Sequence, residues 1–69
     1  MKINNEEEAR RLLEELSGRP VAGQVRDLRL AVENLELDQM YYEQKGNDQG
    51  VGRCELCLGL LRKRLSELG

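Results

Sequence analysis

The chain has 69 residues, a net charge of −2 and no histidine, tryptophan or phenylalanine. A chain of this length buries only about 60% of its unfolded surface, so its core needs support from a disulfide framework, a metal or a second subunit. Two cysteines without histidine exclude a self-contained four-ligand zinc site, and no apolar run approaches the roughly 20 residues of a membrane-spanning helix. The low cysteine content and the lack of a hydrophobic signal segment predict a cytoplasmic protein.

The first predicted helix covers residues 6–17 and follows a short frayed lead at residues 1–4. Asn5 is a favourable N-cap, and Glu8 follows it at the spacing of a capping box. Gly18 suits the left-handed position that commonly ends a helix. The apolar positions of this helix fall on one face: Ala9, Leu12, Leu13 and Leu16.

The second predicted helix covers residues 21–45 and carries two opposed apolar stripes when it is drawn at about 100° per residue. The first stripe contains Val25, Leu28, Val32 and Leu35, extended by Val21, Gln39 and Tyr42. The second stripe contains Leu30, Leu37 and Tyr41, with Met40 beside it. Such a helix needs two partners, of which one can be the rest of its own chain and the other a second copy.

A glycine-rich turn, GNDQGVG at residues 46–52, is predicted to precede the third helix at residues 51–68. The main apolar stripe of this helix contains Cys54, Leu58, Leu61, Leu65 and Leu68, with Cys57 alongside. Leu56 and Leu60 lie off the main stripe, so the third helix also has a wider apolar surface than a single contact needs.

These patterns predict a single all-α domain over residues 1–69, in which a short N-terminal helix accompanies a long antiparallel helical hairpin. A lone hairpin with two-sided apolar faces is unstable, so we expect two copies to dimerise into a four-helix bundle. The expected dimer interface contains Leu30, Leu37, Leu56 and Leu60.

Cys54 and Cys57 form a CxxC motif near the start of the third helix. The favoured interpretation is that both thiols fill the core as small hydrophobic side chains. Two alternatives remain open. One CxxC from each of two chains would complete an intersubunit zinc site, and a CxxC at the start of a helix can act as a redox pair.

Two segments resemble known families. The segment GRCELCLGLLRKRL at residues 52–65 resembles the first half of a DksA/TraR-type zinc finger, which implies zinc and RNA polymerase binding; the second CxxC of that family has no counterpart here. The segment NLELDQMYY at residues 34–42 resembles the helical-hairpin proteins of the Spo0E type, whose helix carries a Ser-x-x-x-Asp pattern. Asn34 stands at the serine position and Asp38 at the aspartate position.

The bulky side chains of Met40, Tyr41 and Tyr42 cluster near the end of the second helix. Tyrosine supplies a large rigid contact area with a polar tip and is enriched at binding hot spots. Either the two tyrosines close the two apolar stripes, or at least one of them anchors a larger protein. Arg62 and Arg64 are the next candidates for contact with such a partner.

No catalytic constellation is visible in the sequence. The carboxylates fall on faces expected to be solvated, neither serine has a neighbouring base, and no cofactor is expected. In size and character the chain resembles the small phage-encoded helical proteins that inhibit host regulators. We therefore expect a non-enzymatic homodimer that binds and inhibits a larger protein, such as a bacterial transcriptional regulator.

Two other functions stay open on the sequence alone. One is a zinc- or redox-dependent regulator that acts through Cys54 and Cys57. The other is a weak nucleic-acid-binding protein, although the charges are spread evenly and form no basic field that would favour duplex binding.

Overall fold

The structure of the protein is a computed structural model that describes residues 2–69. These residues form three α-helices and no strand, which confirms the prediction of an all-α fold. The helices are α1 (Glu6–Leu16), α2 (Val21–Gln44) and α3 (Asp48–Leu68). The molecule is elongated, with extents of 39 × 19 × 18 Å, because the two long helices lie side by side.

The start of α1 is fixed by the expected Asn5 cap, whereas Glu8 bonds to the residue before the N-cap and not to the N-cap itself as a capping box requires. The Asn5 side chain accepts a hydrogen bond from the backbone N–H of Glu8 at 2.8 Å, and the Glu8 carboxylate accepts one from the backbone N–H of Asn4 at 2.7 Å. These bonds satisfy donors that have no partner inside the helix. At the other end Ser17 caps the helix, so α1 ends one residue earlier than the sequence indicates.

The segment before α1 differs from the expected frayed lead. Ile3 is only 6% exposed and belongs to the hydrophobic core, while Met1 lies outside the described residues. Burial of a side chain of this size contributes about 1.5–3 kcal/mol. This offsets much of the about 1–2 kcal/mol that ordering each backbone residue costs, and it holds this part of the lead against the helices.

The end of α2 and the start of α3 share one compact turn. Gly46 adopts φ +70°, and the backbone N–H groups of Gly46 and Asn47 donate to the carbonyls of Glu43 and Tyr42 at 3.1 and 2.9 Å. This pair of bonds is a Schellman motif, which favours glycine at its left-handed position. The helix therefore ends at Gln44, within one residue of the expected boundary.

The predicted start of α3 at residue 51 is wrong, because the helix already begins at Asp48. The Asn47 side chain accepts a hydrogen bond from the backbone N–H of Gly50 at 3.0 Å, which provides an N-cap inside the glycine-rich segment. Gly50 and Gly52 are therefore helical residues and not parts of a turn.

The core lies between the three helices, with α3 in contact with both of the others. Contacts between α2 and α3 run in opposite order along the two helices: Tyr42 meets Gly50, Gln39 bonds to Glu55, and Glu36 bonds to Arg62. The buried apolar residues are Ile3, Ala9, Leu12, Leu16, Leu28, Ala31, Leu35, Cys54, Cys57, Leu58 and Leu61.

Candidate interaction surface

The outer face of α2, defined here as Leu30, Leu37, Met40 and Tyr41, is the largest group of exposed apolar side chains on one helix. Their exposed fractions are 55%, 64%, 56% and 56%, respectively. Leu28 and Leu35, from the other stripe, are buried in the core. Within residues 2–69, therefore, the central part of the first stripe packs in the core, although Val21 at its start is 53% exposed, and the second stripe has no partner. Isolated exposed leucines are ordinary, but a continuous stripe of them indicates an interaction site.

Three open grooves border the outer face of α2, and the third is lined by Glu33, Glu36, Leu37, Gln39 and Met40. The first lies between α1 and α2 and is lined by Leu12, Asp27, Leu30, Ala31 and Asn34. The second continues it towards the N-terminal segment and is lined by Lys2, Asn34, Leu37 and Asp38. Asn34 lines both grooves, and Leu30 and Leu37 each line one of them, opposite Leu12 of α1 and opposite Lys2, respectively.

Charges along the flank of α2 are divided between its two halves. Arg26 and Arg29 lie in the first half of the helix, whereas Glu33, Glu36 and Glu43 lie in the second. Arg26 pairs with its neighbour Asp27 at 3.4 Å, and Glu36 pairs with Arg62 of α3 at 2.7 Å. Among the ion pairs of residues 2–69, none involves Arg29 or Glu43, and both side chains are exposed.

The two tyrosines have different environments although they are adjacent in sequence. Tyr42 is half-buried, packs against the core, and places its ring directly beside Gly50. Tyr41 is exposed, with its ring 5.8 Å from that of Tyr42 at 66°, and the Lys45 ammonium lies 5.7 Å from its centre. These two contacts orient the Tyr41 ring and leave one face available to a partner.

Leu56 and Leu60, which were both expected in the dimer interface, also have different environments in the structure. Leu60 is half-buried and packs against the core, whereas Leu56 is 60% exposed. At about 100° per residue, Leu56 lies about 200° around α3 from the buried Leu58. Since Leu58 points into the core, Leu56 points away from it, on the side of the molecule opposite α2.

Both arginines that were expected to contact a partner form ion pairs within the chain. Arg62 donates to Glu36 at 2.7 Å and links α3 to α2 across the surface, and Arg64 pairs with Glu67 at 3.2 Å on its own helix. Exposed pairs of this kind contribute about 0–1 kcal/mol each, so a partner could still displace them at small cost.

Cys54 and Cys57 are free thiols buried in the core. Burial raises the pKa of Cys54, with a smaller rise from the charge of Asp38, and burial also raises the pKa of Cys57, followed by Cys54 and the acidic residues of α1. A thiol with a raised pKa is protonated at neutral pH, which disfavours a reactive thiolate. Among residues 2–69 no group of three or more potential ligands could hold a metal ion.

No family model, curated protein or solved structure matches the chain. Nor is any helix within residues 2–69 both long enough and apolar enough to cross a membrane. The case for a function therefore rests on the surface itself.

Three features of this surface lie outside the residues that the sequence pointed to. Arg29 and Glu43 contribute nothing to the apolar pattern of a single helix. The sequence nevertheless places both of them beside the second stripe. Ile3 was hidden because a lone apolar residue before a cap has no periodicity to reveal it.

Proposed function

We propose that the protein is a non-enzymatic binding module that acts in the cytoplasm as a homodimer and inhibits a larger protein, such as a bacterial transcriptional regulator. The observation that carries the proposal is the unpartnered outer face of α2, where each of the four apolar side chains is more than half exposed. Exposed carboxylates and buried, protonated thiols offer no group suited to catalysis, and no cofactor is part of the proposal.

The dimer is proposed to form from two antiparallel α2–α3 hairpins. The opposite order of contacts between α2 and α3, from Tyr42 with Gly50 to Glu36 with Arg62, supports the hairpin. Because the outer face of α2 points away from α3, the two α2 helices would lie at the centre of a four-helix bundle. The α1 helices would flank it, since α1 lines the groove beside Leu30.

The larger partner is proposed to bind the free face of the Tyr41 ring at the end of α2, which the contact between the two α2 helices would have to leave uncovered. This ring is exposed beside Lys45 and is held edge-on by Tyr42, so it can enter a pocket with little loss of side-chain entropy. Arg62 and Arg64 lie on α3 and would supply secondary contacts.

The self-association is tested by sedimentation velocity on the wild type and on the double variant Leu30→Glu/Leu37→Glu. The wild type should be a dimer at tens of micromolar, and the variant a folded monomer, because both leucines lie outside the core. Leu56→Glu is the matched control, since it changes an equally exposed leucine on the other side of the molecule. A wild type that remains monomeric would contradict the proposal, and so would a variant that still dimerises.

The binding of a larger protein is tested by capture from the source cell with wild type, Tyr41→Ala and Leu56→Glu as bait. A hot-spot tyrosine typically contributes about 2 kcal/mol or more, so Tyr41→Ala should lose a specific protein that the other two baits retain. Circular dichroism should show the same helical content for all three. Equal capture by the three baits would remove Tyr41 from the proposed site.

A further inference from the structure

We infer that the second copy docks with its α2 antiparallel to the first, so that Arg29 of each copy faces Glu43 of the other. This inference rests on the proposed homodimer and specifies its partner surface and orientation. It follows from three properties of the outer face of α2: the spacing of its apolar residues, the division of its charges, and the absence of partners for two of those charges within residues 2–69.

Leu30, Leu37 and Met40 have the spacing of a coiled-coil seam in which Glu33 occupies the remaining seam position. Leu30 and Leu37 are seven residues apart, and Met40 follows Leu37 by three. In an antiparallel pair, a layer that joins Leu30 to the partner's Met40 is related by the two-fold axis to a second layer that joins Met40 to the partner's Leu30. The Leu30–Met40 contacts therefore form at both ends of the seam, and between them Leu37 of each copy lies opposite the partner's Glu33.

The same register determines which charges meet. Arg29 precedes Leu30 by one residue, and Glu43 follows Met40 by three, so the two flank the same layer from opposite helices. Residues at these flanking positions form the interhelical ion pairs that set the orientation of coiled coils. The antiparallel register thus creates two symmetric Arg29–Glu43 pairs.

A parallel arrangement is opposed by the charges of the seam itself. It would place Arg26 beside the partner's Arg26 and Glu33 beside the partner's Glu33 at the same levels of the two helices. The antiparallel arrangement separates these like charges, because it places Arg26 at the level of the partner's Gln44 and Lys45, and Glu33 at the level of the partner's Leu37 and Gln39. Like charges held side by side destabilise an interface and so select against that geometry.

The ion pair between Glu36 and Arg62 also fits this register. The two-fold axis would pass near Glu36, which would otherwise face its own copy as two like charges. The Arg62 guanidinium, 2.7 Å away, supplies a neutralising charge from α3 at that point. The ion pair between Glu36 and Arg62 contributes little to the stability of an isolated chain. In the dimer it would reduce the repulsion between the two copies of Glu36.

The inference is tested with the charge-reversed variants Arg29→Glu and Glu43→Arg. Each variant alone places two like-charged pairs at its own interface, so its self-association should weaken roughly tenfold relative to wild type. The two variants mixed in equal amounts should form a heterodimer with wild-type affinity, because both pairs are then of opposite charge. The double variant should regain self-association for the same reason.

Lys63→Glu is the control, since it changes the net charge as Arg29→Glu does on an exposed residue of α3. It should dimerise as the wild type does. Sedimentation velocity measures all the affinities, at low salt where exposed ion pairs are strongest. Dimers that persist unchanged in both single variants would overturn the antiparallel pairing and leave the homodimer in place, as would a mixture no tighter than its components. A monomeric wild type would overturn the homodimer itself.

Discussion

Gly50 and Tyr42 are in contact close to the turn that joins α2 to α3. A β-carbon added at Gly50 would lie 2.5–2.8 Å from three atoms of the Tyr42 ring, well inside van der Waals contact. The ring is held against the core and cannot yield without loss of packing, so Gly50→Ala should lower the free energy of unfolding by about 1–3 kcal/mol. Urea unfolding monitored by circular dichroism measures the change.

Gly59 provides the matched control for this prediction. It is also a glycine within α3, but a β-carbon there would meet no atom within 4 Å. Gly59→Ala should therefore raise the free energy of unfolding by up to about 1 kcal/mol through helix propensity alone. The prediction fails if the two alanine variants change stability in the same direction.

The buried cysteines predict a dependence of stability on alkaline pH. An unfolded thiol has a pKa of about 8.5, and burial raises the pKa of both cysteines in the folded chain. Their contribution is therefore fully present below about pH 8.5 and is lost as the pH rises through the higher folded-state pKa, because only the unfolded chain ionises readily. The free energy of unfolding should therefore fall as the pH rises above about 8.5.

The double variant Cys54→Ala/Cys57→Ala separates this contribution from other groups that titrate at high pH. Lost volume should cost the variant about 1–2 kcal/mol at neutral pH. Its decline in stability between neutral and alkaline pH should be smaller than that of the wild type at equal protein concentration. Parallel declines would show that the thiols carry no such contribution.

The roles of the two tyrosines were partly visible in the sequence. Tyr42 follows Leu28 and Leu35 at intervals of seven residues, which places it on the stripe that the structure buries. Tyr41 is rotated from it by about 100° onto the other stripe and is exposed. The pattern could not show the contact between Tyr42 and Gly50, because the periodicity of one helix does not relate its residues to those beyond a turn.

At the scale of elements, the helix boundaries were most predictable where a side-chain cap and a change of hydrophobic pattern coincide. This holds for α1, where Asn5 caps the first turn. It fails at α3, because three glycines in seven residues resemble a turn while a single asparagine is enough to start a helix among them. At the start of α3, the low helix propensity of glycine is outweighed by the Asn47 cap and by packing against Tyr42.

The cap at the start of α3 gives a prediction of its own. Asn47→Ala removes the acceptor for the backbone N–H of Gly50 and should lower the free energy of unfolding by about 1 kcal/mol. Asn34→Ala is the comparison, since Asn34 is exposed within α2 and has no capping bond. Chemical denaturation measures the free energy of unfolding of both variants. Equal values for the two would show that the cap contributes nothing to stability.

For the whole molecule, the sequence predicted the helical class and the face of α2 that enters the core, since both depend on periodicity within single elements. It did not predict that α1 would pack chiefly on α3, because the choice between two apolar helices depends on shape as well as hydrophobicity. The burial of Ile3 depends on the same tertiary arrangement and was missed with it.

The position of Cys57 under α1 has a consequence for how the protein opens. Ile3 and Asn4 line the crevice above the two cysteines, and Glu6 and Glu8 are close enough to contribute to the raised pKa of Cys57. The α1 helix has few contacts with α2, so it is the element that can detach at the lowest free energy while the long helices stay paired. The rate at which a thiol reagent labels Cys57 in the native protein would therefore report this partial unfolding, well before the chain unfolds as a whole.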